Sequence, residues 1–344
     1  MKRIAAALLF FFSWGCQSLY SQSGKVNKTT FFNDTSVLHA SLVTNLGKIL
    51  SLRKEKTGNY TGHFKTTLSD GTAVDDAVML EVRGNFRLNN CNIPPVRIIF
   101  DYDDASTFKK LKATKLVNSC KIGPDYDQYL LKEFVIYKMY NMLTGLSFRV
   151  RLLDIEWKDS AGKKKSFNEH AFLMEDIKDV EKRNNCVGWT NGDLYQEQTN
   201  RRQMTIVSVF QYMIGNTDWA VPKRHNIKLV ISSADSTGKP YAVPYDFDWS
   251  GFVNTDYAVP DEILGIENVR QRVYRGFPRT MAELEEVFEL FNIQKAPIYA
   301  MINGFSLLTA SSKKEMLRYL DDFYKIINDQ SQVKSVFIDN ARSN

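Results

Sequence analysis

The most informative part of this chain reads FQYMIGNTDW at residues 210–219, HNIKL at residues 225–229 and VPYDFD at residues 243–248. Apolar residues occupy one helical face up to Gly215, so the pattern predicts a helix that ends there. Two β-rich runs, 226–232 and 241–247, flank turn-forming residues and predict a hairpin. One carboxylate therefore follows a helix, an amide follows soon after, and a second carboxylate closes the hairpin.

These side chains are the types that phosphoryl transfer from a nucleotide needs. One carboxylate orients the attacking hydroxyl, and a carboxylate and an amide hold the Mg²⁺ ions that neutralise the phosphates. By order along the chain, Asp218 is the predicted catalytic residue, Asn226 and Asp246 are predicted metal ligands, and Asp248 is a further ligand candidate. Structural roles remain open: Asp218 as a turn residue, and Asp246 with Asp248 as a hydrogen-bonded pair on one side of a strand.

Three segments resemble the CotH-type (spore coat protein H) atypical kinases and, more remotely, HipA-like kinases. They are Asn216-Thr217-Asp218-Trp219, His225-Asn226 and Pro244-Tyr245-Asp246-Phe247-Asp248, and RGNFR at 83–87 looks like the family's early Arg-Gly-Asn element. The resemblance implies a kinase-like fold, ATP and Mg²⁺, and phosphorylation of a protein outside the cytosol. The chain departs from kinases in having no Gly-x-Gly-x-x-Gly loop in its N-terminal half.

Nucleotide contacts in the first half of the chain are less defined. Lys115 lies on a predicted strand and is one candidate for phosphate binding, and Arg97 on the preceding strand is the other. Glu133 stands in the middle of a predicted helix, 127–143, with no cation three or four residues away. We expect it to pair with the phosphate-binding lysine, as in the helix–strand ion pair of kinases; the alternative is an exposed glutamate on the wet edge of the helix.

The order of elements predicts an α+β chain. Strands and turns dominate from 24 to about 120, a hairpin spans 149–157 and 167–175, a polar loop covers 184–200, and the tail is helical. Thr280 with Glu283 and Ser312 with Glu315 fit the capping box. Together with the resemblance, this predicts a two-lobed atypical protein-kinase-like fold, with a β-rich N-terminal lobe at 23–175 and a mainly helical C-terminal lobe at 176–344.

The first residues indicate export. A short basic start precedes the apolar run 4–14, which is too short to span a bilayer of about 30 Å, so residues 1–22 are predicted to be a signal peptide. Cleavage before Cys16 would leave a lipid anchor on its thiol, and cleavage near residues 21–23 is the alternative. We expect a periplasmic, cell-envelope or secreted protein. A disulfide between Cys91 and Cys120 is geometrically plausible, with two buried thiols as the alternative.

Charge and hydropathy argue against a nucleic-acid-binding protein and against a transmembrane helix beyond the first segment. The formal net charge of +6 over 344 residues is modest, and we see no nucleic-acid-binding motif. Beyond the first segment, no apolar run has the length of a transmembrane helix. Three hypotheses remain: an exported ATP-dependent kinase acting on a protein substrate, a catalytically weak relative serving as an envelope binding or assembly protein, and a structural envelope protein without a nucleotide site.

Overall fold

The computed structural model of the protein describes residues 26–51, 59–84 and 86–342. The predicted signal peptide at 1–22 and the candidate lipid anchor Cys16 lie outside these residues. The helices are α1 (Lys28–Asn33), α2 (Leu46–Ser51), α3 (Phe86–Asn90), α4 (Pro124–Leu143), α5 (Ile177–Arg183), α6 (Arg201–Met213), α7 (Met281–Gly304), α8 (Ala310–Ile327) and α9 (Gln330–Lys334). The strands are β1 (Leu38–Thr44), β2 (Asn59–Thr67), β3 (Ala73–Val82), β4 (Val96–Ile99), β5 (Ala113–Asn118), β6 (Val150–Asp159), β7 (Phe167–Met174), β8 (Cys186–Gly188), β9 (Ile227–Ser232) and β10 (Tyr241–Pro244).

Seven strands close into a barrel in the order β1-β2-β3-β4-β5-β7-β6. Six neighbouring pairs are antiparallel, and β1 and β6 close the barrel as a parallel pair, in register from Leu38 opposite Leu153 to Thr44 opposite Asp159. The predicted two-lobed kinase-like fold is therefore wrong, because the first part of the chain forms a closed mixed barrel and not the open sheet of a kinase N-lobe. Closure removes the exposed edges that an open sheet would leave.

Side chains alternate across the barrel wall, and this sorts them between two hydrophobic clusters. Leu116 of β5 belongs to the cluster that fills the barrel, whereas Val117 belongs to the larger cluster around the helices. The same alternation carries Lys115 to the outer side of the barrel with Val117. Strand β5 therefore has one face in the barrel core and the other towards the helical part of the chain.

The helical part is built on α4, α6, α7 and α8, whose apolar residues share the larger cluster. A separate three-stranded sheet has the order β10-β9-β8. Its β9–β10 hairpin and the β6–β7 hairpin of the barrel are confirmed as antiparallel pairs. The expected loop at 184–200 is wrong in part, because β8 pairs with β9 there. The division of the chain near residue 176 stays a prediction.

One of the two capping boxes predicted from the sequence is confirmed, and the other is wrong. Thr280 and Glu283 form the predicted capping box of α7. The box predicted at Ser312 is wrong, because α8 begins three residues earlier and Thr309 accepts the hydrogen bond from the Ser312 N–H. Thr309 and Ser312 both carry a hydroxyl that can cap a helix, so the sequence allows α8 to begin after either residue. Packing of the helix decides between the two starts.

Cys91 and Cys120 form a disulfide, with their Cα atoms 4.3 Å apart. The bond ties the end of α3 to the segment after β5. Cys186 is a buried free thiol. Over the ranges that the structure describes, no helix has both the length and the apolar character to cross a membrane.

Candidate functional site

A cavity of about 570 Å³ lies where the outer face of β5 meets α4, the loop after α6 and the end of the β9–β10 hairpin. Six of the seven site residues predicted from the sequence line it: Lys115, Glu133, Asp218, Asn226, Asp246 and Asp248. These residues come from segments more than 130 positions apart, and the fold brings them to one concave surface.

Arg97 is the predicted site residue that does not line this cavity. It lies directly opposite Lys115 on the neighbouring strand β4. Its Nη1 donates to Glu81 Oε2 at 3.0 Å, and Glu81 is its cross-strand partner on β3. The arginine is thus occupied by a carboxylate on the barrel surface, which leaves Lys115 as the better of the two candidates for binding phosphate.

Asp218 is held by two neighbours at the start of the β9–β10 hairpin. His225 Nε2 lies 2.7 Å from Asp218 Oδ1, and Asn226 Nδ2 donates to Asp218 Oδ2 at 2.9 Å and to its carbonyl oxygen at 2.8 Å. The Asp218 side chain keeps about a third of its surface exposed. It is therefore oriented but accessible, which a general base requires.

The turn before Asp218 depends on Gly215. Its φ of +63° lies in the left-handed region, and a Cβ there would be 2.0 Å from Tyr319 Oη. Only glycine fits this position without strain or displacement. The chain can therefore leave α6 sharply and present Asp218 at the cavity wall.

Asp246 and Asp248 do not alternate on a strand as expected, because β10 ends at Pro244. Asp246 has a φ of +66°, and its N–H donates to the hydroxyl of Tyr137 at 2.9 Å. Asp248 is buried and accepts a hydrogen bond from Tyr257 Oη at 2.9 Å. Both side chains nevertheless line the cavity.

The two carboxylates interact electrostatically. Burial and the negative charge of Asp246 raise the pKa of Asp248 to about 7. Arg87 opposes this shift without reversing it. Two close carboxylates that are incompletely compensated by protein cations form a favourable environment for a divalent ion.

Glu133 is buried, so the alternative of an exposed glutamate is wrong. Burial and the charges of Asp248 and Asp246 raise its pKa well above the usual value, while the Phe247 N–H stabilises the carboxylate. Glu133 and Lys115, both of which the structure describes, form no ion pair with each other. The cation that acts on Glu133 is Arg87.

Lys115 has an altered proton affinity. Burial, and then the positive charge of Arg83, lower the pKa of its ammonium to about 8, although Asp246 acts in the opposite direction. The Nζ atom lies 4.7 Å from the centre of the Tyr245 ring, a cation–π distance. A phosphate group beside Lys115 would offset the cost of its burial.

Two further cations, Arg83 and Arg87, line the cavity and were not assigned roles from the sequence. The Nε atoms of both are inaccessible to solvent and have no hydrogen-bond partner among the described residues. Burial lowers the pKa of Arg83; burial acts the same way on Arg87, but Tyr257, Asp248 and Glu133 raise its pKa above the ordinary value. The sequence signal that could have identified both arginines was the RGNFR element at 83–87, which was quoted above for its resemblance to the kinases.

The first cavity offers oxygen donors of the kind that Mg²⁺ prefers. No group of three or more His, Cys, Asp or Glu side chains arranged to hold a metal occurs in the described ranges. Asp246 and Asp248 with the Asn226 amide oxygen supply three oxygen donors, since the Asn226 amide nitrogen is used on Asp218. Mg²⁺ in nucleotide sites takes one or two carboxylates and completes its shell with phosphates and water. The residues present fit Mg²⁺ bound together with a nucleotide.

The chain was compared with known proteins. It matches no protein-family model, and no curated protein is significantly similar to it in sequence. The resemblance to CotH-type kinases therefore stays a prediction that depends on the residues quoted above.

Proposed function

We propose that this protein transfers the γ-phosphoryl group of ATP, bound with Mg²⁺, to a hydroxyl group of a protein substrate. The observation that carries the proposal is the single cavity in which Asp218, Asn226, Asp246 and Asp248 face Lys115 and two arginines. Carboxylates, an amide and cations in one concave site are the parts that phosphoryl transfer uses. The proposal does not depend on a kinase fold, because function belongs to the site and not to the scaffold.

Each group has a role in the transfer. Asp246, Asp248 and the Asn226 amide oxygen would hold Mg²⁺, which when bound neutralises phosphate charge. Lys115 and the two arginines, Arg83 and Arg87, would bind the phosphate oxygens and replace the missing glycine loop. Guanidinium groups suit this task because they present several donors in a fixed plane.

Asp218 would accept the proton of the attacking hydroxyl. The hydroxyl oxygen bonds to the γ-phosphorus, the bond from that phosphorus to the bridging oxygen breaks, and ADP leaves. His225 and Asn226 hold the Asp218 carboxylate in position throughout. Its partial exposure lets an acceptor reach it.

Calorimetry with ATP and Mg²⁺ tests the site first. The unaltered protein should bind ATP only with Mg²⁺, and Asp246→Ala should abolish that binding. Asp322→Ala, at an exposed carboxylate of α8, is the matched control and should bind normally. Absence of binding at millimolar ATP would overturn the proposal.

Turnover is tested with Asp218→Asn, by following ADP release in the presence of serine-containing peptides. This variant should retain ATP binding and lose transfer by about 10²–10⁴-fold, the usual contribution of a general base. A catalytically weak binding or assembly protein is the second candidate, and the unpaired arrangement of Lys115 and Glu133 favours it. ATP binding without turnover in the unaltered protein would select that second candidate.

We also propose that the protein acts outside the cytosol, in the periplasm, cell envelope or medium. The Cys91–Cys120 disulfide supports this, because such bonds are rare in reducing compartments. Mass spectrometry of the mature N-terminus provides the test. Cleavage near residues 21–23, or a lipid on Cys16, would agree with export, and an intact N-terminus would contradict it.

A further inference from the structure

A second cavity, of about 520 Å³, adjoins the first and is also lined by Asp218. It shares Asp218, His225 and Trp249 with the first cavity, so the two are continuous at the predicted base. We call it the acceptor groove; its remaining walls come from 217–223 and 259–275. Its volume falls within the ~300–1,000 Å³ of typical ligand sites.

The two cavities differ in chemistry. The first holds the candidate phosphate and metal ligands, whereas the acceptor groove combines charged residues with apolar side chains that include Trp219, Val259 and Ile263. In-line transfer requires the donor and the acceptor on opposite sides of the transferred group. With the nucleotide in the first cavity, we expect the attacking hydroxyl to reach Asp218 from the adjoining acceptor groove.

Two apolar side chains of the groove are unusually exposed. Val259 is 66% exposed and Ile263 is 86% exposed. They lie on the segment that follows Tyr257, which is anchored through its hydroxyl to Asp248. Two exposed apolar groups at the rim of one cavity favour a surface that another molecule covers.

The charged residues of the acceptor groove limit which class of molecule can bind there. Apart from His225, the charged residues of the groove are balanced: Asp218 and Asp261 against Lys223 and Arg275. The Arg275 guanidinium is already used on the Thr217 carbonyl oxygen. A groove that is balanced in charge and apolar at its rim suits neither a polyanion nor a strongly polar sugar.

We infer that the acceptor groove binds an extended polypeptide segment, with a Ser or Thr hydroxyl at Asp218 and a flanking apolar side chain against Val259 and Ile263. This inference rests on the proposed phosphoryl transfer and specifies its substrate. The apolar flank supplies the selectivity, because a hydrophobic contact of this size discriminates by about tenfold or more.

The test uses an array of short peptides with a central serine and varied flanks, read first for binding without nucleotide and then for transfer with ATP and Mg²⁺. We expect apolar residues to be selected at one flanking position. The double variant Val259→Ser with Ile263→Ser should raise the KM for such peptides about tenfold, with kcat and ATP affinity unchanged. Ile293→Ser removes another exposed apolar side chain, 62% exposed on α7, and should leave every value unchanged.

The inference would be overturned if peptides with polar or charged flanks bound best, or if the double variant kept the selectivity of the unaltered protein. ATP binding would be intact in both cases. A change in oligomeric state of the double variant would overturn it as well, because the groove would then cover a second copy of the chain. If the unaltered protein fails to bind ATP, the proposed function falls. The nucleotide-free binding array still decides whether the groove takes a peptide.

Discussion

If Lys115 binds phosphate as proposed, its titration should link nucleotide affinity to pH. Burial and Arg83 lower the pKa of the free ammonium to about 8, and phosphate oxygens in a complex would raise it again. A group whose pKa rises on binding strengthens the complex below its free pKa and loses that contribution as the pH rises through it. At pH 7 about nine chains in ten carry the charged lysine, and at pH 9 about one in eleven. We therefore expect ATP affinity to fall about tenfold between pH 7 and pH 9.

Calorimetry with Mg²⁺ and a non-hydrolysable ATP analogue across this range measures the effect, together with proton uptake on binding. Lys115→Gln should weaken binding at pH 7 and remove the tenfold dependence. Arg97→Gln is the matched control on the same barrel face, because Arg97 pairs with Glu81. It should keep the dependence with a slightly higher midpoint, since Arg97 contributes to lowering the Lys115 pKa. The same pH dependence in Lys115→Gln would refute the assignment, because it would then belong to the nucleotide or another group.

Two further predictions concern stability. Gly215→Ala should lower the free energy of unfolding, measured by urea denaturation, by about 2–4 kcal/mol because of left-handed strain and the clash with Tyr319. Gly162→Ala is the control: its φ is +66° but the space around it is open, so it should lower the free energy of unfolding by only about 1 kcal/mol. Equal losses in the two variants would contradict the role of the clash. Replacing Cys91 and Cys120 together with serine should cost about 3–4 kcal/mol, because the bond closes a loop with a sequence separation of 29, and reductant should then have no further effect on the variant. An unfolding curve unchanged by the double serine substitution would show that the bond adds nothing to stability.

The sequence located most of the candidate site because its chemistry is concentrated in local motifs. Asp218, Asn226 and Asp246 follow a helix end and a hairpin, and both features have short-range signals. Arg97 and Lys115 could not be separated in advance, since they are cross-strand neighbours with the same residue character. Glu81 neutralises Arg97 because the register of β3 and β4 places the two residues opposite each other. The sequence does not show that register.

The fold was harder to predict than the site. Closure of the barrel depends on the parallel pairing of β1 with β6, whose partners are more than 100 residues apart. Local periodicity shows that a segment is a strand but not which distant strand it will join. The family resemblance supplied a two-lobed kinase-like fold with a β-rich N-terminal lobe in place of that missing information, and this fold prediction was wrong.

Strand β5 is a wall common to the barrel core and the first cavity, with Leu116 on one side and Lys115 on the other. The barrel cannot lose its packing without moving Lys115, and the cavity cannot open at this wall without disturbing the barrel. We therefore expect the described part of the chain to melt in one cooperative transition. A ligand bound only in the cavity would raise the melting temperature of the barrel and the helices together.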